Sequence, residues 1–261
     1  MLAAFREIDR ILRGEATRPT AIGESGVSIS PARVGFMLIL MGAVYGFFMG
    51  GNAVVARAEP EYRQLLSSTI KVPLLFLLTG AITFPSLYVF NALLGTRLSL
   101  ESMLKLLFAA GAVTLALLAS FGPIVGFFAV STSSYPFMVL LNIIFFSIAG
   151  LMGMQFLWHT LRRVVAAVVQ TPVPISPPLP ETDQPTPGPL EHVVFTDEMR
   201  RVRSVFLVWG IMFAVVGAQM GWLLRPFIGN PALPFAWLRP KQSNFFEAAW
   251  GVVWTLLSGR G

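Results

Sequence analysis

Five apolar runs alternate with polar segments along the chain, at about Arg33 to Val55, Val72 to Leu94, Leu104 to Val130, Phe137 to His159 and Val205 to Leu224. A helix rises about 1.5 Å per residue, so each run is long enough to cross roughly 30 Å of hydrocarbon. A helix also satisfies its own backbone hydrogen bonds, which lipid cannot do for it. The pattern predicts an all-α, polytopic membrane protein with five transmembrane helices.

Shorter patterns mark both ends of the chain. Leu2, Phe5, Ile8 and Leu12 recur at helical spacing with Arg6, Asp9, Arg10 and Arg13 opposite, the mark of an amphipathic helix on an anionic membrane face or in solvent. At the other end, Asn244 to Ser258 is only about 22 Å long as a helix. Glu247, Gly251, Thr255 and Ser258 share one side there, and aromatic and aliphatic residues spread over the other. This predicts an interfacial helix, or a face held by another subunit.

The segments between the runs read as connections. Thr17 to Pro31, rich in Gly, Ser, Thr and Pro, predicts a flexible link, and Ala56 to Ile70 a polar loop with a short interfacial helix starting at Pro60. Gly95 to Glu101 and Ser131 to Pro136 are tight connections. Thr171 to Leu190 holds eight prolines and predicts an extended spacer, or a ligand for an aromatic groove. Thr196, followed by Asp197 and Glu198, predicts a helix N-cap. The chain thus divides into an amphipathic helix and linker (1–32), a four-helix membrane part (33–169), a Pro-rich linker (170–195), a fifth span (196–227) and an interfacial tail (228–261).

Within the spans, Gly42, Gly46 and Gly50 lie four residues apart, and Gly35, Gly42, Gly46 and Ala53 fall within about 40° of one another. Inside a bilayer, helices associate through close backbone contact, which such a stripe permits. The stripe predicts packing within the bundle or against a partner subunit, and Gly217 and Gly221 on span five are its expected counterpart. Pro85 removes a backbone bond in mid-span and predicts a kink, with Thr79, Thr83 and Ser86 placed to satisfy freed carbonyls. Gly122-Pro123 predicts a bend or break in span three. Thr83, Asn91, Asn142, Gln155 and Gln219 are the intramembrane polar residues, and the amides are candidates for interhelical hydrogen bonds.

Composition agrees with the pattern: 55% of residues are hydrophobic, 12% are charged, and the mean hydropathy is +0.70. The net charge of +6 sits in clusters flanking the apolar runs, so it implies lipid headgroups and not nucleic acid. Twelve of the nineteen lysines and arginines lie on the side of the amino-terminal segment and the Pro-rich loop. The positive-inside rule then places those segments in the cytosol and the tail outside. Arg6, Glu7, Asp9, Arg10 and Arg13 interrupt the first residues too often for a signal peptide, so the first span is expected to direct insertion.

Without cysteine there is no disulfide, thiolate metal site or thiol redox chemistry. Two histidines give little material for a metal site, and no phosphate-binding glycine loop or serine-nucleophile elbow occurs. No Asp, Glu, Lys or Arg lies in the predicted spans except at their ends. No enzyme activity and no cofactor is therefore expected.

Gln219-Met220-Gly221-Trp222-Leu223-Leu224-Arg225-Pro226-Phe227-Ile228-Gly229 is the most distinctive run. It resembles a stretch near the C-terminus of an uncharacterised family of bacterial multipass inner-membrane proteins, and Lys71 to Phe76 and Pro85 to Tyr88 are similar to its earlier part. The resemblance implies a bacterial inner-membrane protein and no particular activity. Read physically, Trp222 and Arg225 are expected at the interface, with Arg225 contacting lipid phosphate or Glu247, or snorkelling to the headgroups. The expected partners are the lipid bilayer and other membrane subunits, and the expected role is scaffold or accessory subunit. The alternative is passage of a neutral solute through kinked spans two and three.

Overall fold

The computed structural model describes residues 2–15, 22–23, 26–27, 29–55, 60–93, 99–132, 134–169, 189–225, 227–229, 233–239 and 243–258. Its helices are α1 (Leu2–Leu12), α2 (Pro31–Val55), α3 (Tyr62–Leu93), α4 (Leu100–Ser131), α5 (Tyr135–Val169), α6 (Pro189–Leu224) and α7 (Phe245–Leu257). The link between α1 and α2 carries a two-residue antiparallel pair, β1 (Ile22–Gly23) with β2 (Gly26–Val27), in the register Ile22 to Val27. Five helices, α2 to α6, are long and apolar enough to cross a bilayer. The protein is a polytopic, all-α integral membrane protein.

Several helices begin earlier than the apolar runs, for identifiable reasons. Ser99 caps α4, its hydroxyl accepting from the Ser102 amide at 3.2 Å, so the helix starts ahead of the apolar run. The segment predicted as a polar loop is helical from Tyr62, continuous with the second span, because its polar residues are buried against other parts of the protein. Thr196 is no N-cap: α6 starts at Pro189, and a proline's fixed φ and missing N–H suit the first helical position. The helix therefore begins inside the segment read as a linker, whose residues 171–188 lie outside the described ones. Likewise, α4 runs unbroken through Gly122-Pro123 and α3 through Pro85. Around Pro85, Thr83 donates to the Thr79 carbonyl at 2.7 Å and Ser86 to the Thr83 carbonyl at 2.6 Å.

At the centre, α2 packs antiparallel to α3 and parallel to α4. On the α3 side, Gly42 meets Pro73, Gly46 meets the backbone of Ser68 and Thr69, and Gly50 meets Leu65. On the α4 side, the Phe48 ring lies where Gly122 and Gly126 lack side chains, and Leu38 fills the space beside Gly111. The α4–α5 contact is close at Gly153, which sits against Thr114, and Phe121 stacks on Phe145 with centroids 4.6 Å apart. Gly217 and Gly221 do not meet the glycine stripe of α2: they face Thr79 and Leu75, so both glycine-bearing helices pack on α3. With α3 between the turns of the chain on either side of it, the stripe of α2 is already occupied.

The chain enters and leaves the five spans so that one end of the bundle carries α1 and the other carries the tail. At the first end α1 lies across α2 and α4. Ala4, Ile8 and Ile11 are buried there, while Phe5 and Leu12 are about half exposed, at 50% and 51%. Of the apolar stripe, Ile8 packs on the bundle, while Phe5 and Leu12 remain on the side away from it. Glu7 sets the rotation: its buried carboxylate accepts from the Ser30 amide and pairs with Arg33 at 3.2 Å.

Candidate functional site

The far end of the bundle gathers the residues of the distinctive run. As α6 ends, the Arg225 guanidinium lies over the Trp222 ring, 3.6 Å from its centroid. The indole N–H of Trp222 donates to the Ser243 carbonyl just before α7, tying the tail back to the helix. The Phe227 carbonyl accepts from Gln64 Nε2 at 2.7 Å and from the Ser68 hydroxyl, both on α3. Ile228 is buried in the main apolar core. Gly229 has φ +76°, the left-handed region glycine tolerates, and a side chain there would stand 2.9 Å from the Gln64 side chain. Each described residue of the Arg-Pro-Phe-Ile-Gly run thus has a structural reason for its type; Pro226 lies outside the described residues.

Further along the tail, the Trp237 carbonyl accepts from Lys71 Nζ. Lys71 is buried, and it lies between the α3 residues that face Gly46 and Gly42, level with the middle of α2. The expectation that ionisable residues occur only at span ends is therefore corrected: α3 extends through Lys71 as part of the span Tyr62–Val89. An ammonium in such a place needs a compensating acceptor. The tail supplies one by folding back over the helix ends.

Arg239 stands close enough to Lys71 and to Arg225 for the like charges to repel. Burial first, and this repulsion second, hold the Arg225 guanidinium below its ordinary pKa. Arg239 donates to the Pro234 carbonyl at 3.3 Å. Glu247, expected as a partner for Arg225, is instead exposed in the first turn of α7, where its amide is capped by Asn244 Oδ1 at 2.9 Å, and it forms no ion pair among the described residues. The arrangement is a cationic, donor-rich clamp on carbonyl oxygens. Its chemistry is that of holding a chain segment or an anion.

The remaining polar residues of the spans are spread through the bundle. Tyr45 of α2 donates to Asn142 Oδ1 of α5 at 2.7 Å, and Asn142 Nδ2 donates to the Met138 carbonyl at 2.8 Å. Trp209 of α6 is buried and its indole N–H reaches the Thr83 carbonyl of α3 at 3.4 Å. Gln155 lies on the exposed side of α5, and Gln219 is half-buried on α6. Asn91 is in α3, and its side chain lies outside the described residues. Thr83, Asn142 and Gln155 are therefore not brought to one place.

Gln64, Ser68, Lys71, Tyr45 and Trp209 are the residues that sequence reasoning passed over. A signal for three of them exists: Gln64, Ser67, Ser68 and Lys71 recur at i, i+3, i+4 and i+7, one face of a helix, and all are buried. Compared with protein families, curated proteins and solved structures, the chain matches none of them. What the structure establishes is a multipass helical membrane protein.

Proposed function

We propose that this protein is a non-catalytic scaffold or accessory subunit of a membrane complex. The observation that carries this reading is the filled middle of the bundle. Met37, Tyr45, Leu115, Leu118 and Met138 have no exposed surface there, and the buried Tyr45–Asn142 hydrogen bond spans from α2 to α5. The hydroxyl of Thr83, which a solute path along α3 would use, is spent on the Thr79 carbonyl. Lys71, the ionisable group inside α3, is engaged by the tail and serves to hold it. Such a bundle is filled at its centre among the described residues, which favours a role carried by its surfaces.

The surfaces it presents are apolar. Phe246, Trp250, Trp254 and Leu257 make one exposed stripe along α7, with Trp250 68% and Leu257 79% exposed, and no residue of α7 is buried. The balance of Lys and Arg favours the amino terminus in the cytosol and the tail outside, and the likeness of the Arg-Pro-Phe-Ile-Gly run to the bacterial family named above favours a bacterial cytoplasmic membrane.

Affinity purification of the full chain in mild detergent tests the role. A partner at fixed stoichiometry is the expected result; a lone monomer, or solute flux through liposomes that Thr83→Val abolishes, overturns it. Orientation is tested separately. The chain lacks cysteine, so single substitutions Ser176→Cys and Ser258→Cys should label from the cytosolic and outer sides respectively, and labelling of both from one side breaks the five-span reading.

A further inference from the structure

At the bundle end that carries α1, a cleft of 320 Å³ opens between the last turn of α1 and the last third of α5. Its volume is at the lower end of the range of ligand pockets, about 300–1,000 Å³. Arg13, His159 and Arg163 line it, together with the buried Thr160 and the apolar Leu12 and Phe156. His159, Arg162 and Arg163 are the first basic residues after the long apolar run that starts at Phe137, so the basic lining stands where hydrocarbon gives way to headgroups. Ile148 and Met152 are exposed on α5 and lie within about 60° of His159 and Arg163 around the helix. Apart from Gln155, which is exposed on the same side, the cleft therefore opens onto apolar surface that runs through Met152 and Ile148 from the headgroup level toward the middle of the membrane.

We infer that this cleft binds the phosphate headgroup of an anionic phospholipid, with one acyl chain laid along Met152 and Ile148. The two guanidiniums supply charge-assisted donors to phosphate oxygens, and basic pockets between transmembrane helices attract such headgroups. Thr160 adds a hydroxyl at the wall of the cleft. Two acidic residues stand near Arg13: Asp9 pairs with it at 2.9 Å, one turn apart on an exposed face of α1, and Glu15 lies close enough to act on its charge. An exposed pair of that kind is weak, and a phosphate that also meets Arg163 competes with it successfully. Phosphatidylcholine brings a choline cation to the same lining and is disfavoured. The apolar track distinguishes a lipid from a free phosphate ion, which gains nothing from Ile148 and Met152.

The test uses the full chain in mild detergent, with lipid retention read by native mass spectrometry. Phosphatidylglycerol should be retained over phosphatidylcholine, with retention falling about fivefold for each of Arg13→Gln and Arg163→Gln. Arg163→Lys should recover most of the loss. Inorganic phosphate in excess should not displace the lipid. Photoactivatable phosphatidylglycerol, used with the unaltered protein, should cross-link to the Ile148 to Phe156 stretch of α5 whether or not the variants fold. Equal retention of the two lipids, displacement by inorganic phosphate, or cross-links scattered over the other spans would each overturn the assignment.

Discussion

Helices α2 and α6 both pack on α3 through a row of glycines, but the two contacts differ in kind. A Cβ on Gly46 would run into the Ser68 carbonyl and stand 2.9 Å from Thr69 Cα, and one on Gly50 would stand 2.8 Å from Leu65 Cα. Backbone there meets backbone. A Cβ on Gly217 would stand 3.5 Å from Thr79 Cγ2, and one on Gly221 would stand 4.0 Å from a Leu75 methyl, which are ordinary side-chain contacts. The same small-xxx-small spacing thus serves a fused pair of helices in one case and a looser apposition in the other. What fixes α6 lies elsewhere, at the two ends of its apolar run: the buried Trp209 near the start and the Trp222 to Gly229 clamp at the close.

The contrast predicts its largest effect at Gly46. Isoleucine in that position places a branched side chain where α3 has backbone, which cannot move without displacing a whole turn. Gly46→Ile should lower stability by about 3 kcal/mol, read as the unfolding midpoint in detergent under denaturant titration. An unchanged midpoint would show that α2 and α3 are not as close as the contact requires.

These particulars also mark how far the sequence could be read. All five spans, the two terminal helices and the all-α class follow from apolar length and period, because a membrane helix must be apolar along its full crossing. The bundle-packing role of Gly42, Gly46 and Gly50 follows from spacing; their partner does not, since α3 opposite them carries no matching small-residue signature and offers Pro73, Ser68 and Leu65. The face by which α1 packs on the bundle, Ala4, Ile8 and Ile11, does not follow from the hydrophobic period alone, because one carboxylate, Glu7, turns the helix toward Arg33. The clamp was visible as a motif and invisible as an interaction. Its decisive hydrogen bond joins Gln64 to Phe227, 163 positions apart, and goes to a backbone carbonyl that no residue type advertises. The cleft beside α5 arises in the same way, from two helices distant in the chain.

A second effect, smaller than that at Gly46, is expected at the clamp. Gly229→Ala forces an L side chain into a backbone with φ +76° and pushes it against Gln64. The strain costs about 1–2 kcal/mol, and its release is local: the tail detaches while the span pairs α2–α3 and α4–α5 persist. Protease cleavage in the segment between Arg225 and Asn244 should accelerate about tenfold with little change in the global unfolding midpoint. Equal falls in both would place the clamp in the cooperative core and make the two glycine contacts less different than they look.

The smallest effect belongs to Gly217. Alanine there gains a methyl contact with Thr79 and loses the backbone freedom of glycine, and both changes favour the folded helix or leave it unaffected. Gly217→Ala should leave stability unchanged or raise it by up to about 1 kcal/mol. The comparison with Gly46→Ala, which adds the same methyl, is the informative one. If α2 is held by backbone contact and α6 by the ends of its apolar run, the first methyl is absorbed and the second collides with Ser68. Equal losses from the two alanines would mean that the glycine face of α6 does carry its hold on α3, and that Trp209 and the clamp merely accompany it.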